Sequence, residues 1–205
     1  AFKEMKASAT ELGKAVRGLR SGDASMQLAP ADNKEQELIN NLWPLIERTE
    51  KNVKKVEDHE KILTTVSAAL RQINLQSAEF LESAETIASI KLQQNAPSTE
   101  VLAAGQLVML TQRIGKSANE FLTAEGGVSP AAVFLLDKDL KSFSEIAKAM
   151  REGNAELRLS AAKDPQTISA LNELLAHYEN TKAHAKGVLD NLDGLVEART
   201  AQSEV

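Results

Sequence analysis

Ser98-Thr-Glu-Val-Leu-Ala-Ala-Gly-Gln-Leu-Val-Met-Leu-Thr-Gln-Arg-Ile-Gly-Lys-Ser-Ala-Asn-Glu-Phe-Leu122 is the stretch whose reading decides the fold. Ala103, Leu107, Leu110, Ile114, Ser117 and Phe121 recur every three or four residues. Val101, Ala104, Val108, Thr111, Gly115, Ala118 and Leu122 form a second stripe beside the first. Both stripes follow the helical period, and a helix apolar over so wide an arc is buried on two sides. Ser98, just after Pro97, supplies the N-cap.

The same period extends in both directions. Phe2, Met5, Ala9, Leu12, Val16 and Leu19 mark a first helix that stops at Gly22-Asp23. Asp32, with Glu35 three residues on, has the spacing of a capping box. From there Leu38, Leu42, Leu45, Thr49, Val53, Val56, Leu63, Val66 and Leu70 predict a long helix over about 33–72, with a kink at Pro44 beside Trp43 or a broken first turn. Asn74-Leu75-Gln76 reads as a weak break, followed by a shorter helix with Phe80, Leu81, Ala84, Ile87 and Ala88 inward. Gly126-Gly127 closes the helix that opens at Ser98, and Ser129-Pro130 opens the next, with Val133, Leu136, Leu140, Phe143, Ala147 and Met150 inward. Gly153-Asn154 ends that helix, and Asp164-Pro165 starts a last one carrying Ile168, Leu171, Leu175, Tyr178, Ala185, Leu189 and Leu192. The expectation is an all-α, elongated bundle of about six helices in stacked up-down modules.

Composition agrees. Of 205 residues 42% are hydrophobic but only 3% aromatic, so the core must be aliphatic, which suits helix packing better than a sheet sandwich. Ten glycines and five prolines are too few for a fold of many tight turns. A net charge of −5 with scattered basic residues excludes the footprint of a nucleic-acid binder. No cysteine is present, which removes disulfides and thiol catalysis. No apolar run approaches the roughly 20 residues of a membrane span, and no signal peptide is visible. The first residues, Ala1-Phe2-Lys3, and the last helix, through Glu197-Ala198-Arg199-Thr200, read as cut from something longer.

Catalytic chemistry has no foothold. His177 and His184 are seven residues apart on one face, about 10 Å, too far to share an ion. With His59 they are expected to be solvated surface residues, and no metal or cofactor is implied. No Gly-x-Ser-x-Gly and no glycine-rich phosphate loop occurs. Glu47–Lys51 and Glu50–Lys54 have the spacing of ordinary surface pairs. Mixed polar faces do not suit a membrane surface. These observations describe a non-enzyme.

The exception is Gln106-Leu-Val-Met-Leu-Thr-Gln-Arg-Ile-Gly-Lys116, which sets large polar side chains into the most apolar helix. Gln106 and Arg113, seven apart, point the same way. Arg113 offers five fixed donors, suited to an anion or to a cluster of acceptors. It is either an interhelical clamp that fixes register or a ligand-binding arginine.

This motif closely resembles the Q-x-x-M-L-[ST]-Q-R-[IM]-x-K signature of PilJ-type sensor modules, found in the N-terminal periplasmic region of type IV pilus methyl-accepting chemotaxis transducers. Related modules occur in nitrate/nitrite sensor kinases, whose anion-binding arginine motif differs in sequence, so nitrate is not carried over. Leu19-Arg-Ser-Gly22-Asp23 with Pro30 resembles the segment that links two such modules, and Trp43-Pro44-Leu45 resembles the start of the following helix. Gly153-Asn154 and Asp164-Pro165 fall where the family has them. The resemblance implies a partial first module and connector over 1–45 and a second, four-helix module over 46–205, with the 33–72 helix shared. It implies a sensory domain in the periplasm of an inner-membrane transducer that controls twitching motility. The membrane anchors, and the cytoplasmic part that meets a histidine kinase and its adaptor, lie outside this sequence. The implied partners are a second copy of the chain and the type IV pilin. Gln106, Met109, Gln112, Arg113 and Lys116 are the implied ligand or interface residues.

Overall fold

A computed structural model describes residues 1–123 and 130–205. Its elements are α1 (Phe2–Ser21), a 3-10 turn (Ala24–Met26), α2 (Asn33–Asp58), α3 (Glu60–Gln93), α4 (Ser98–Thr123), α5 (Pro130–Glu152), α6 (Pro165–Leu189) and α7 (Leu192–Ser203). The described residues are all-α, with two isolated antiparallel bridges and no strand. None of these helices is long and apolar enough to cross a membrane. Gly126-Gly127 and the Ser129 cap fall outside the described residues.

The chain divides into two compact units. One is built from Ala1–Thr64 and Asp193–Val205; the other contains α4, α5, α6 and the part of α3 from Thr65 onward. In the second unit Phe143 of α5 sits between Phe80 of α3 and Tyr178 of α6, at ring-centroid distances of 4.8 and 5.4 Å. Ala84, Ala104, Ala118, Ala147 and Ala185 of the same unit are fully buried. Alanine lets helix backbones approach, so a few large rings can fill the space that remains. At one end of this unit the buried Lys91 pairs with the partly buried Glu100 at 3.0 Å, tying the end of α3 to the start of α4.

In the first unit α1 packs along α2 around Val16, Ile39 and Ile46, with Ala31 and Trp43 against them. Arg17 pairs with Glu50 at 3.0 Å and Lys6 with Glu57. From α7, Glu204 accepts a hydrogen bond from the Asn52 amide, and Glu197 lies 3.6 Å from Lys55 and 3.7 Å from His59. Asp32 and Glu35 form the full capping box at the start of α2.

Several details differ from the sequence expectation. The break expected at 74–76 is absent, and α3 runs through it, because Ile73 and Phe80 anchor both sides of the stretch in the core. The chain instead steps at His59, whose backbone N–H and ring Nδ1 both bond the Lys55 carbonyl. His59 is therefore half-buried and engaged rather than solvated. Helix α2 begins at Asn33 and continues through Pro44, so of the two expected outcomes there the broken first turn does not occur. The last helix is two, α6 and α7, stepping at Asn191, so the described residues form seven α-helices where about six were expected. Leu12, Leu19, Leu38, Leu42 and Leu45 are exposed instead of inward. The strip α1 and α2 bury is narrow and falls on Ala9, Gly13, Val16, Ile39 and Ile46. Glu47 takes Trp43, four residues before it on the same helix, and Glu50 takes Arg17 of α1, in place of Lys51 and Lys54.

The α1–α2 and α5–α6 connectors share one backbone pattern, the second with one extra residue, Lys163, before its capping aspartate. Gly22 and Gly153 stand at φ +80 and +85, and Gln27 and Arg158 at φ 56 and 54. Asp23 bridges Leu28 as Asn154 bridges Leu159. The Ala31 N–H bonds the Leu19 carbonyl as Ala162 bonds Met150. Asp32 and Asp164 then cap α2 and α6. The equivalence reaches the steps further on, where the His59 ring bonds the Lys55 carbonyl and the Asn191 amide bonds that of Gly187, each at 2.8 Å.

A Cβ at Gly153 would meet the Ala161 backbone nitrogen at 3.1 Å in a left-handed conformation, whereas one at Gly105 meets nothing within 4 Å. Gly153→Ala is expected to cost about 1–2 kcal/mol, and Gly105→Ala to add roughly 0.5–1 kcal/mol, read by urea unfolding. Burial pushes the Asp164 carboxyl up, but hydrogen bonds from Thr167 and Gln94 and the Lys91 charge outweigh it and hold the group below the usual carboxylate range. Its contribution is full above the unfolded value near pH 4 and fades as pH falls toward the folded one. The stability gap between the parent and Asp164→Asn should therefore be widest at neutral pH and close in acid.

Candidate functional site

Helix α4 has two faces of opposite character. Ala103, Ala104, Leu107, Leu110, Thr111, Ile114, Ala118 and Phe121 are buried. The polar motif lies on the other side: Gln106, Gln112, Arg113 and Lys116 are exposed, and Met109 between them is 47% exposed. Gln106, Met109 and Arg113 follow one another at spacings of three and four, so they share a stripe, with Gln112 and Lys116 along its edge. The structure thus brings all five residues onto one outward face.

Two features give this face its geometry. Arg113 reaches α5 and pairs with Asp139 at 2.9 Å. Its own side chain is 45% exposed, whereas that of Asp139 is 4% exposed. Taking a carboxylate out of water is costly unless a cation and good hydrogen bonds compensate, so Asp139 fixes where Arg113 sits. Lys116 stays near its own helix, 3.6 Å from Glu120. Towards the N-terminal end of α4, Gln106 borders a cleft of about 250 Å³ whose other walls include Leu102, Ile146, Leu157 and Leu159. Leu102 and Leu157 are large and exposed, so an apolar surface adjoins the polar stripe.

Asp139 was missed by sequence reasoning. The available signal was its register: it falls between Leu136 and Leu140 and four residues before Phe143, on the arc α5 turns inward. A charge there needs a partner, and Arg113 is that partner. The histidines offer no alternative centre. His177 lies on an acidic cleft with Glu79, Glu82 and Glu173, and no group of His, Asp or Glu among the described residues is placed to hold a metal ion.

Among its described residues the chain is an all-α bundle in which α4 presents one mixed polar and apolar face. The sequence model described as type IV pili methyl-accepting chemotaxis transducer N-term matches residues 92–203, from the last turn of α3 through α7, and the chain belongs to that family. It is also similar to Protein PilJ of Pseudomonas aeruginosa strain PAO1, with 24% identity over 216 residues. That alignment takes in 100% of this chain and 30% of the relative, so the chain spans under a third of that protein's length.

The Arg113–Asp139 pair gives an asymmetric expectation. Arg113→Ala strands a buried carboxylate and should cost about 2–3 kcal/mol. Asp139→Ala releases a half-exposed guanidinium that rehydrates, and should cost less than about 1.5 kcal/mol. Equal losses in urea unfolding would contradict the burial argument.

Proposed function

We propose that the chain is the periplasmic sensory domain of a chemoreceptor-like transducer, which signals across the membrane to a histidine kinase and its adaptor and so controls type IV pilus twitching motility. The observation that carries this reading is the family match over the helix that bears the outward polar stripe. In this reading the stripe Gln106, Met109, Gln112, Arg113 and Lys116 is a contact surface and not a catalytic one. It suits a second copy of the chain, with the type IV pilin as a further partner. Stimulus would bias two arrangements of packed helices, since packed interfaces switch between discrete states more readily than they deform.

The repeated connector supports a modular organisation, a first module and connector over 1–45 and a second module over 46–205. The reading in which Arg113 anchors a small anion is less favoured, because an anion there would have to share or displace the Asp139 carboxylate.

The chain has no cysteine, so single introduced cysteines report cleanly. In the full-length protein in cells, Gln106→Cys, Met109→Cys and Gln112→Cys should crosslink between copies, while cysteines on the buried face of α4 should not. Pili should change the relative yields along the stripe. The same pattern with and without pili would reject pilus sensing through this helix, and no crosslink at any position would reject the stripe as a dimer contact.

A further inference from the structure

The first connector borders an open cleft of about 450 Å³, wholly within the first unit, with Lys14, Arg17, Arg20, Ser21, Asp23 and Trp43 among its walls. We propose that this cleft binds a small multivalent anion of the carboxylate or phosphate class, held by Lys14 and Arg20 beside Trp43. This site is separate from the α4 stripe, and the proposal does not rest on the signalling reading.

The local carboxylates are already committed. Glu50 pairs with Arg17 at 3.0 Å. Glu47 accepts the Trp43 indole N–H at 2.8 Å. Asp23 accepts from the Ser25 hydroxyl and from the backbone N–H groups of Ser25 and Met26; the Ser25 bond chiefly keeps its carboxyl below the usual range. Among the described residues neither Lys14 nor Arg20 forms a close ion pair, although the Lys14 charge acts on the Asp23 carboxyl of the same cleft and helps to hold it low. Arg20 instead lies 5.0 Å over the Trp43 ring. A stacked guanidinium is held in place through its face and keeps its in-plane donors for an anion.

The end of a helix, where carbonyls carry partial negative charge, is a poor place for an anion unless those carbonyls are occupied. Here the Leu19 carbonyl accepts the Ala31 N–H and the Arg20 carbonyl accepts the Gln36 amide.

The second connector shows what the turn itself requires. It keeps the glycine, the left-handed residue, the bridge and the capping aspartate. Yet Glu145, Lys148 and Leu175 stand where the first has Lys14, Arg17 and Trp43, with only Arg151 matching Arg20. The same backbone is therefore built with an acidic residue in place of Lys14 and an aliphatic one in place of Trp43, so the turn itself requires neither.

Trp43 is the only tryptophan, so its emission reads this cleft directly. The test titrates the whole 205-residue chain with inorganic phosphate and with citrate at constant ionic strength, following fluorescence and calorimetric heat. At least one anion should saturate. Lys14→Ala and Arg20→Gln, each folded by circular dichroism, should weaken that binding by about tenfold or more, while Arg151→Gln leaves it unchanged. No saturable heat with either anion would overturn the proposal, as would undiminished affinity in the Lys14→Ala/Arg20→Gln double variant. Binding to phosphatidylglycerol vesicles with neither dissolved anion bound would also overturn it, by assigning the basic residues to a lipid headgroup.

Discussion

Phe143 touches Phe80 on one side and Tyr178 on the other, and the second unit is organised around that contact. The chain has five phenylalanines, one tyrosine and one tryptophan, so three of its seven rings meet at one point. They join α3, α5 and α6. Fully buried alanines, among them Ala84 and Ala147, one turn beyond Phe80 and Phe143, let the helices of this unit approach closely. With that packing set, α4 must turn its aliphatic arc inward, and the polar residues of the motif have only the outer face left to them. The exposure of Gln106, Met109 and Gln112 is thus a consequence of where the core lies.

The repeated connector shows how the fold separates geometry from recognition. A left-handed glycine, a second left-handed residue and a short antiparallel bridge reverse the chain, and an aspartate starts the next helix. These parts recur almost unchanged because steric limits on the backbone allow few alternatives. The flanking side chains face no such limit. At the first connector they are basic and aromatic, and at the second they are acidic and aliphatic as well as basic. Such divergence over a fixed backbone is where function is to be sought.

At the α4 stripe, the two roles set out for Arg113 are not exclusive in geometry. Its guanidinium clamps a buried carboxylate of α5 while nearly half its surface stays in water. A residue held in that way presents a charge at a defined place, which is what a contact surface requires. The apolar cleft beside Gln106, with Leu102 and Leu157 exposed at its edge, adds area to the same face.

The sequence by itself determined the all-α class, most helix boundaries and the shared face of Gln106 and Arg113; that this face is outward, on a helix expected to be buried on two sides, was decided by packing. Periodicity of 3.6, capping residues and glycine stops are local, and local physics is legible in a single chain. Asp32, Gly153 and Asp164 behave as their residue types require. The connector repeat was also present in the letters, in Leu19-Arg-Ser-Gly22-Asp23 against Met150-Arg-Glu-Gly153-Asn154, but only the matching backbone angles and bonds made it evident. Tertiary structure alone decided which apolar residues are covered: Leu38, Leu42 and Leu45 follow the helical period as well as Ile39 and Ile46 do, yet only the latter meet α1. It decided, too, that Asp139 belongs to Arg113 and Glu50 to Arg17, pairings between residues 26 and 33 positions apart that no local spacing encodes. A period says that a helix has an apolar side, but the partner that covers it is fixed only when the helices pack.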